Sequence, residues 1–511
     1  MQLNKRAGRL IGSCTTLAVT LALAGCAVGP DYHAPPAPAV SRYTATPLPA
    51  TAGHAGTVDE QRFVVGGSLP AQWWTLFGSK QINTLIDSAL RNNPDLASAR
   101  AALKQAHEDY LANLGALYPT VNLQWNSTRQ KSSGALFGQP GLPSNIFSLH
   151  QAQAQVSYNV SVFGGVRRGI EAAKSVVAQQ GFELDAARLS LTANVVTSAI
   201  QVAALNTQIT TQLEVVKAET QIADTLRKQV QLGGASRAAL QQQLTQVATS
   251  AAQLAPLHKQ LHAAQNELAI LTGHLPSQAP AVQLDLAALT LPAQVPVSLP
   301  SQLVEQRPDV QAAAAQLQQA NALVGIAIAN RLPQFTITAA IGSVATHPSE
   351  LFSPGGGIWS IGGAALQPLF HGGTLLHKQR AAKAAYQQAL AQYRSTVLLA
   401  FRNVADSLQA LTTDAQALTA QDRAEQAAAA SYRIAKAQFT AGGIAYPALL
   451  QSQLSWQQTR NAVVQAKAAR FTDTAALFQA LGGGWWHSGH KSGDPHVATR
   501  STGTADKALA D

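Results

Sequence analysis

Four short motifs occur twice along this chain, in the same order and at an offset of about 210 residues. Chance does not produce four landmarks at one spacing, so the chain is predicted to consist of two copies of one unit, 80–275 and 301–481. The four pairs are NPDL at 93–96 with RPDV at 307–310, YP at 118–119 with LP at 332–333, FGG at 163–165 with FHGG at 370–373, and LGG at 232–234 with AGG at 441–443.

Each copy is predicted to open with a helix and continue into a β-hairpin. The helices over 81–115 and 301–330 end near Pro119 and Pro333, because proline lacks the N–H that a helix needs. Apolar and polar residues then alternate over 121–126 and 335–339, as in strands with two different faces. Return strands are predicted over 151–160, after the loop 130–145, and over about 359–367, after the loop 347–357.

Very long helices are predicted to follow the hairpins, over 166–232 and 374–441. At 1.5 Å per residue each would extend roughly 100 Å. Ile209, Val216, Ala223 and Val230 recur at the heptad spacing that indicates coiled-coil packing. Diglycine turns then lead into antiparallel return helices that end near residues 273 and 482.

The hairpins are the candidate membrane elements. A strand of about ten residues is long enough to cross a bilayer when tilted, although a soluble hairpin with one wet face shows the same alternation. Four strands cannot close a barrel, and lipid does not tolerate an open sheet edge. If the strands cross a membrane, several protomers must therefore share one β-barrel.

Composition excludes several classes of protein. The chain is 46% hydrophobic and only 12% charged, with long stretches of Ala, Gln and Leu that favour packed helices over disorder. The net charge of +10 is spread thinly, without a basic run interleaved with aromatics, so no nucleic-acid partner is expected.

The N-terminus is predicted to be a targeting segment, residues 1–25. Lys5, Arg6 and Arg9 precede a short apolar run, as in signal peptides. The run ends in LAGC, so Cys26 is predicted to be the cleaved and acylated residue of a lipoprotein; the alternative is an ordinary signal peptide with a chance cysteine. Ala27, in place of a retaining aspartate, favours sorting to the outer membrane. No run of 18 apolar residues follows, so no transmembrane helix is expected.

Several motifs in this order resemble the TolC-like outer-membrane efflux channels, in the lipoprotein subgroup (NodT-type) typified by OprM. The resemblance covers nearly the whole mature chain. It rests on CAVGPDY at 26–32, WWTLF at 73–77, NELAILTG at 266–273, QRPDV at 306–310 and GIA at 325–327.

The resemblance implies a fold that is mainly α with membrane β. Three protomers would form one outer-membrane barrel, with four strands each, and their helical hairpins a periplasmic α-barrel. A lipidated segment at 26–79, a Pro-rich linker at 276–300 and a flexible tail at 482–511 complete the predicted organisation.

The same resemblance implies partners: outer-membrane lipid, a periplasmic adaptor (a membrane fusion protein) and an inner-membrane pump of the RND type. The adaptor would dock on the helix tips, where glycine allows close backbone approach; alternatively these glycines only form turns. The candidate docking residues are Gly233, Gly234, Ser236, Gly442, Gly443 and Tyr446.

The tips depart from the family in one respect. Many relatives carry an aspartate shortly after the second tip glycine, where ion pairs help to close the tunnel, whereas this chain has PALL at 447–450. Arg237 and Tyr446 are the remaining candidate gate residues.

Enzyme motifs are missing from the sequence, with neither a phosphate loop nor a nucleophile elbow, and no catalytic residue or cofactor is expected. His487, His490 and His496 could bind a metal, but a Gly/Ser-rich tail is the preferred interpretation, so no metal site is assigned.

The function that follows is that of an outer-membrane channel in a tripartite efflux system for small molecules and drugs. Two alternatives stay open: the channel of a type I protein secretion system, and a non-channel envelope scaffold or adaptor.

Overall fold

The computed structural model describes residues 27–53, 60–133, 143–279 and 282–487; the predicted signal peptide and Cys26 lie outside the described residues. The chain forms two compact units. The strand unit contains the chain up to Ala34, Lys104–Ala178 and Ala314–Gln392, and the helix unit contains Pro35–Leu103, Gln179–Ala313 and the chain from Tyr393.

Nine α-helices occur in the described residues, and the same order of elements appears in both halves. The first half contains α1 (Lys80–Asn92), α2 (Pro94–Leu114), α3 (Gly165–Gln231), α4 (Arg237–Ala252) and α5 (Leu254–Leu271). The second half contains α6 (Pro300–Gln306), α7 (Pro308–Ala329), α8 (Thr374–Thr440) and α9 (Tyr446–Ala480).

The two long helices have the predicted bounds within one residue. Helices α3 and α8 each contain 67 residues, about 100 Å at the α-helical rise. Among the described helices, only α3 contains an 18-residue stretch apolar enough to cross a membrane, with mean hydropathy 1.2, and 67% of that stretch is buried. Burial of this kind is typical of a core helix.

The prediction of one continuous opening helix per copy was wrong. Each of the segments 81–115 and 301–330 is divided into two helices. The breaks fall before Pro94 and Pro308, the first residues of α2 and α7. At the first break the Asn93 Oδ1 accepts a hydrogen bond from the Leu96 N–H at 3.0 Å, so the motif starts a new helix. The first return helix is also divided, at Gln253. Pro256 has no N–H to donate to the carbonyl four residues earlier.

The strand unit contains one antiparallel sheet of four strands, which lie side by side in chain order. They are β3 (Thr120–Ser132), β4 (Asn145–Val160), β6 (Gln334–Ala345) and β7 (Gly357–Leu366). The two hairpins join through β4 and β6, with Val156 opposite Ala339. The first hairpin extends farther than predicted, since β3 reaches Ser132 in a stretch that was predicted to be loop.

A second sheet was not predicted. Its strands β1 (Thr51–Ala52), β2 (Gln61–Val65) and β5 (Gln294–Val297) pair in the order β1-β2-β5, with β5 parallel to β2. Strand β5 lies in the segment predicted as a Pro-rich linker. Gln61, fully buried, accepts a hydrogen bond from the Arg470 Nη2 at 2.6 Å, and so ties this sheet to α9.

Aromatic rings form part of the core of the helix unit. Trp73 and Phe77 pack against Phe478, with ring centroids 5.7 and 6.3 Å apart. Residues 482–487, assigned to the flexible tail from the sequence, form a glycine turn and a short 3₁₀ helix, and the Trp485 Nε1 donates to the Gln306 carbonyl at 2.6 Å.

Gly273, directly after α5, gives a test of this packing. Its φ is +77°, and an added Cβ would lie 2.4 Å from the Asn92 carbonyl oxygen. We expect Gly273→Ala to destabilise the protein by about 2 kcal/mol or more, because strain and a backbone clash add together. Thermal unfolding followed by circular dichroism measures the change.

Gly115→Ala is the control, since an added Cβ there meets nothing within 4 Å. It should alter stability by less than about 1 kcal/mol. Equal unfolding midpoints for the two variants would contradict the close packing of Gly273 on α1.

Candidate functional site: a two-faced sheet and two glycine tips

One face of the four-stranded sheet is apolar and open to its surroundings. Leu123 is 86% exposed and Trp359 76%, values unusual for large apolar side chains in a folded protein. The strand register aligns Leu123, Ala154, Ile341 and Trp359 in a single row across all four strands. Such a face requires an apolar partner or an apolar solvent.

The opposite face is polar without being charged along β3 and along residues 151–159 of β4. Residues between those of the apolar face point to the other side, because side chains alternate along a strand. The register places Gln124 beside Gln153, and Ser157 beside Thr338. The amide and hydroxyl groups of this face can contact water and many solutes without binding any one of them tightly.

The two outer strands leave the sheet incomplete. Within the described part of the chain, β3 and β7 each pair on one side only. Their outer edges present unpaired backbone donors and acceptors over 13 and 10 residues. These lengths reach the 9–11 residues that a tilted strand needs to cross a bilayer.

The tips after α3 and α8 have the same geometry. Gly233 and Gly442 both have a φ of +76°, and the following glycine N–H groups donate to Gln229 and Gln438, both at 2.8 Å. This is the Schellman arrangement, in which a left-handed glycine ends a helix. The repeated glycine motif therefore produces the same turn twice.

The structure separates the predicted tip residues into two groups. Gly233, Gly234, Gly442, Gly443 and the candidate gate residue Arg237 are exposed. Ser236 is also exposed and caps α4, where its Oγ accepts a hydrogen bond from the Ala239 N–H at 3.1 Å.

Tyr446 differs from the other candidates because it is only 4% exposed. It belongs to a cluster with Leu226 and Leu449, and its hydroxyl donates to the Gln243 Oε1. Burial, together with the charge of Glu219, raises the pKa of Tyr446 to about 12. Its predicted role as an adaptor contact does not fit this burial, because an arriving partner would not reach the ring.

Sequence reasoning missed a buried carboxylate near the tips. Glu219 in α3 is fully buried, and its Oε1 accepts four hydrogen bonds. The donors lie in α4 and α9: Gln246 at 3.2 Å, Ser250 at 3.0 Å, Gln453 at 3.1 Å and Gln457 at 2.7 Å. Each neutral donor offsets part of the cost of burying the charge.

A signal for Glu219 was present in the sequence. Val215, Ile222 and Leu226 are buried in α3, and residue 219 falls on the same helical stripe at the spacing i, i+4, i+7, i+11. A single carboxylate on an apolar stripe predicts a buried polar contact between helices. Glu219 therefore joins three helices of the helix unit.

Metal ligands do not cluster in the described residues, where no group of three His, Cys, Asp or Glu side chains could hold an ion. The His487 Nδ1 lies 3.1 Å from the Leu69 carbonyl oxygen. His490 and His496 lie outside the described residues, as does Cys26.

The family follows from comparison with known proteins. The model of the outer membrane efflux protein family matches residues 85–274 and 299–483. The chain belongs to the outer membrane efflux protein family, which is a family of channels.

Individual relatives align with this chain along almost their whole length. The pyoverdine export outer membrane protein OpmQ of Pseudomonas aeruginosa is 29% identical over 450 residues, 86% of this chain and 94% of that protein. The antibiotic efflux pump outer membrane protein ArpC of Pseudomonas putida is 28% identical over 478 residues, 93% and 96% of the two chains. The CmeC outer membrane channel of Campylobacter jejuni has the same fold, with a TM-score of 0.82 at 22% identity, covering 93% of this chain and 97% of that one.

The carboxyl pair Asp414 and Asp473, on α8 and α9, makes stability depend on pH. Burial, with the hydrogen bond and charge of Asp414, raises the pKa of Asp473 from 3.8 to about 7. A raised pKa means that the folded state binds this proton more tightly than the unfolded state does. The contribution to stability is therefore complete below pH 3.8 and is lost as pH rises through about 7.

We expect Asp473→Asn to remove the loss of stability that accompanies rising pH. The difference in unfolding midpoint between the variant and the wild type should therefore favour the variant more at pH 8 than at pH 5. Circular dichroism melts at both values measure the difference. Asp406→Asn, which changes an exposed carboxylate in α8, should keep the wild-type pH dependence. Parallel pH profiles for the wild type and Asp473→Asn would contradict the prediction.

Proposed function

We propose that this chain is the outer-membrane channel of a tripartite efflux system and works as a homotrimer. The observation that carries the proposal is the two-faced sheet, whose two edge strands have no outer partner among the described residues. Three copies would pair β7 of one protomer with β3 of the next, giving twelve strands, within the range of known outer-membrane barrels. The apolar face would contact lipid and the polar face would line the channel.

The duplicated order of elements supports the same architecture. Each copy supplies one hairpin to the barrel and one long helical hairpin to a periplasmic tunnel. Six helical hairpins from three protomers would surround the tunnel, and their glycine tips would form its periplasmic entrance.

The channel has no chemistry to perform. Transport is passive movement past amide and hydroxyl groups once the tips open, and the pump supplies the energy. We therefore assign no catalytic residue, metal or cofactor to this chain. Gln153, Gln155 and Ser157 are representative of the side chains that cargo would meet.

Small molecules are the proposed cargo, and an RND-type pump with its periplasmic adaptor the proposed partners. OpmQ and ArpC are named for pyoverdine export and antibiotic efflux, which supports small-molecule efflux over protein secretion. A scaffold or adaptor role is disfavoured because it would not require a polar sheet face opposite an apolar one.

Lipidation of Cys26 would add an anchor in the outer membrane. The LAGC motif supports it, and mass spectrometry of the mature N-terminus tests it. The gate remains assigned to Arg237 and Tyr446. Tyr446 would act from within the tip core, through its hydrogen bond to Gln243, and Glu219 would hold the neighbouring helices together.

Docking at the tips is tested by Gly443→Trp. Gly443 is exposed and lacks the left-handed φ of Gly442, and an added Cβ would meet only Gln438, at 3.5 Å or more. The variant should fold, yet a bulky ring would keep the adaptor from close approach. We expect adaptor binding to weaken about tenfold, which is about 1.4 kcal/mol. Cellular efflux of a fluorescent dye should fall with it, and a photocrosslinker at Ser236 should no longer capture the adaptor.

Gly115→Trp, an exposed glycine of the strand unit, is the control and should leave efflux unchanged. Wild-type efflux and adaptor capture in folded Gly443→Trp would show that the tip glycines only form turns. Capture of the adaptor of an ATP-driven protein exporter at Ser236 would change the function to protein secretion.

A further inference from the structure

The N-terminal arm, residues 27–34, is bound tightly within the strand unit. The Val28 N–H donates to the Phe163 carbonyl at 3.1 Å, in the turn between β4 and α3. The Asn321 Nδ2, in α7, donates to the Pro30 carbonyl at 2.9 Å. The first residue after Cys26 therefore starts a segment with defined contacts.

The backbone of the arm also makes two very close approaches. Gly29 has a φ of +103°, and an added Cβ there would lie 2.6 Å from the Gly325 Cα. Gly164 has a φ of +74°, and an added Cβ would lie 2.6 Å from the Ala27 Cα. Glycine is required at both places, because any side chain would displace the arm.

Arg168, in the first turn of α3, holds the arm along its length. It is only 5% exposed. Its Nε donates to the Val28 carbonyl at 3.3 Å, and its Nη2 donates to the Gly29 carbonyl at 3.4 Å and to the Asp31 carboxylate at 2.8 Å. Its Nη1 donates to the Glu171 carboxylate at 2.7 Å, which fixes the guanidinium on its own helix.

The planar guanidinium suits this position. Its five N–H groups are arranged in a rigid fork, so one side chain can bind carbonyls and carboxylates in several directions at once. Lysine, with one ammonium group, could not maintain all of these contacts. The neighbouring Arg167 is exposed and has none of them.

The position of the arm limits the reach of a lipid attached before it. Cys26 is two residues from Val28, so the two Cα atoms lie within about 7.6 Å of each other. A free arm of eight residues would instead extend up to about 28 Å. With the arm bound, a lipid on Cys26 would be attached within about 7.6 Å of Val28, which contacts the turn that follows β4.

We infer that Arg168 is a positioning residue that couples the lipid anchor to the membrane sheet, holding the acylated end of the chain beside the base of β4. This rests on the proposed lipidation of Cys26. The anchor then holds the sheet itself at the membrane surface while its unpaired edges find those of other protomers. If the arm were not bound, the lipid would be joined to the sheet only through a flexible stretch of chain.

The test compares assembly with and without the lipid. Full-length wild type, Arg168→Ala and the matched Arg167→Ala are expressed in a Gram-negative host, and the trimeric fraction in outer membranes is measured by native gel. We expect Arg168→Ala to reduce the trimer-to-monomer ratio about tenfold, Arg167→Ala to match the wild type, and Arg168→Lys to be intermediate. Hydrogen exchange at the Val28 amide should rise in Arg168→Ala and not in Arg167→Ala.

The same variants are then made with Cys26→Ser, behind a signal peptide that carries no lipid. Without the lipid, Arg168→Ala should have no further effect on assembly. Equal losses with and without the lipid would show that Arg168 is only a folding contact, and would overturn the inference. The inference would also be overturned if lipidated Arg168→Ala assembled normally while hydrogen exchange at its Val28 amide was faster than in the wild type.

Asp31→Asn provides a second variant if Arg168→Ala fails to fold. Asp31 is 83% exposed at its side chain and contacts Arg168 at 2.8 Å, so its replacement weakens the arm without changing α3. Mass spectrometry of the wild type separates the two hypotheses: an unmodified Cys26 removes the lipid anchor from the proposed function, whatever the assembly results show.

Discussion

Backbone hydrogen bonding in lipid is the constraint on which the rest of the structure depends. A sheet can lie in a bilayer only if every strand is paired, because lipid offers no donors or acceptors. Four strands ending in β3 and β7 do not satisfy this condition by themselves. In the proposed trimer, copies that share one barrel would satisfy it, and the same step would direct the apolar face outward and the polar face inward.

The long helices pack against their neighbours mainly through apolar side chains, with few charged ones. Apolar stripes on α3 bury Val215, Ile222 and Leu226, and Glu219 adds one charged position on that stripe, with four neutral donors around it. All four donors bind the Glu219 Oε1, and the buried Oε2 has no hydrogen-bond partner. Removal of a donor would leave more of the buried carboxylate unpaired, so the four contacts favour one arrangement of the three helices over others. The Schellman glycines end both long helices at matching positions.

Much of this fold could be predicted because its signals are local. Alternation located β3, β4 and β6, whereas β7 has a weaker pattern because of Gly362 and Gly363 and was expected as the return strand after the second loop. The diglycines located the ends of α3 and α8. The breaks at Pro94 and Pro308 were missed because their motif was used as a landmark of the repeat and not as a helix start. Strand β5 could not be found, since its pairing with β2 joins distant segments and Pro296 interrupts its pattern. The burial of Tyr446 depends on packing across helices, which no local pattern encodes.

Single-channel conductance tests most directly whether the polar face lines a pore. Gln153 and Ala154 are neighbours in β4 on opposite faces of the sheet, and the sequence contains only two cysteines, Cys14 and Cys26. Channels with Gln153→Cys should lose conductance in planar bilayers when a charged, membrane-impermeant thiol reagent is added, and channels with Ala154→Cys should not. Block of Ala154→Cys alone, or no conductance from folded trimers, would contradict the proposed channel.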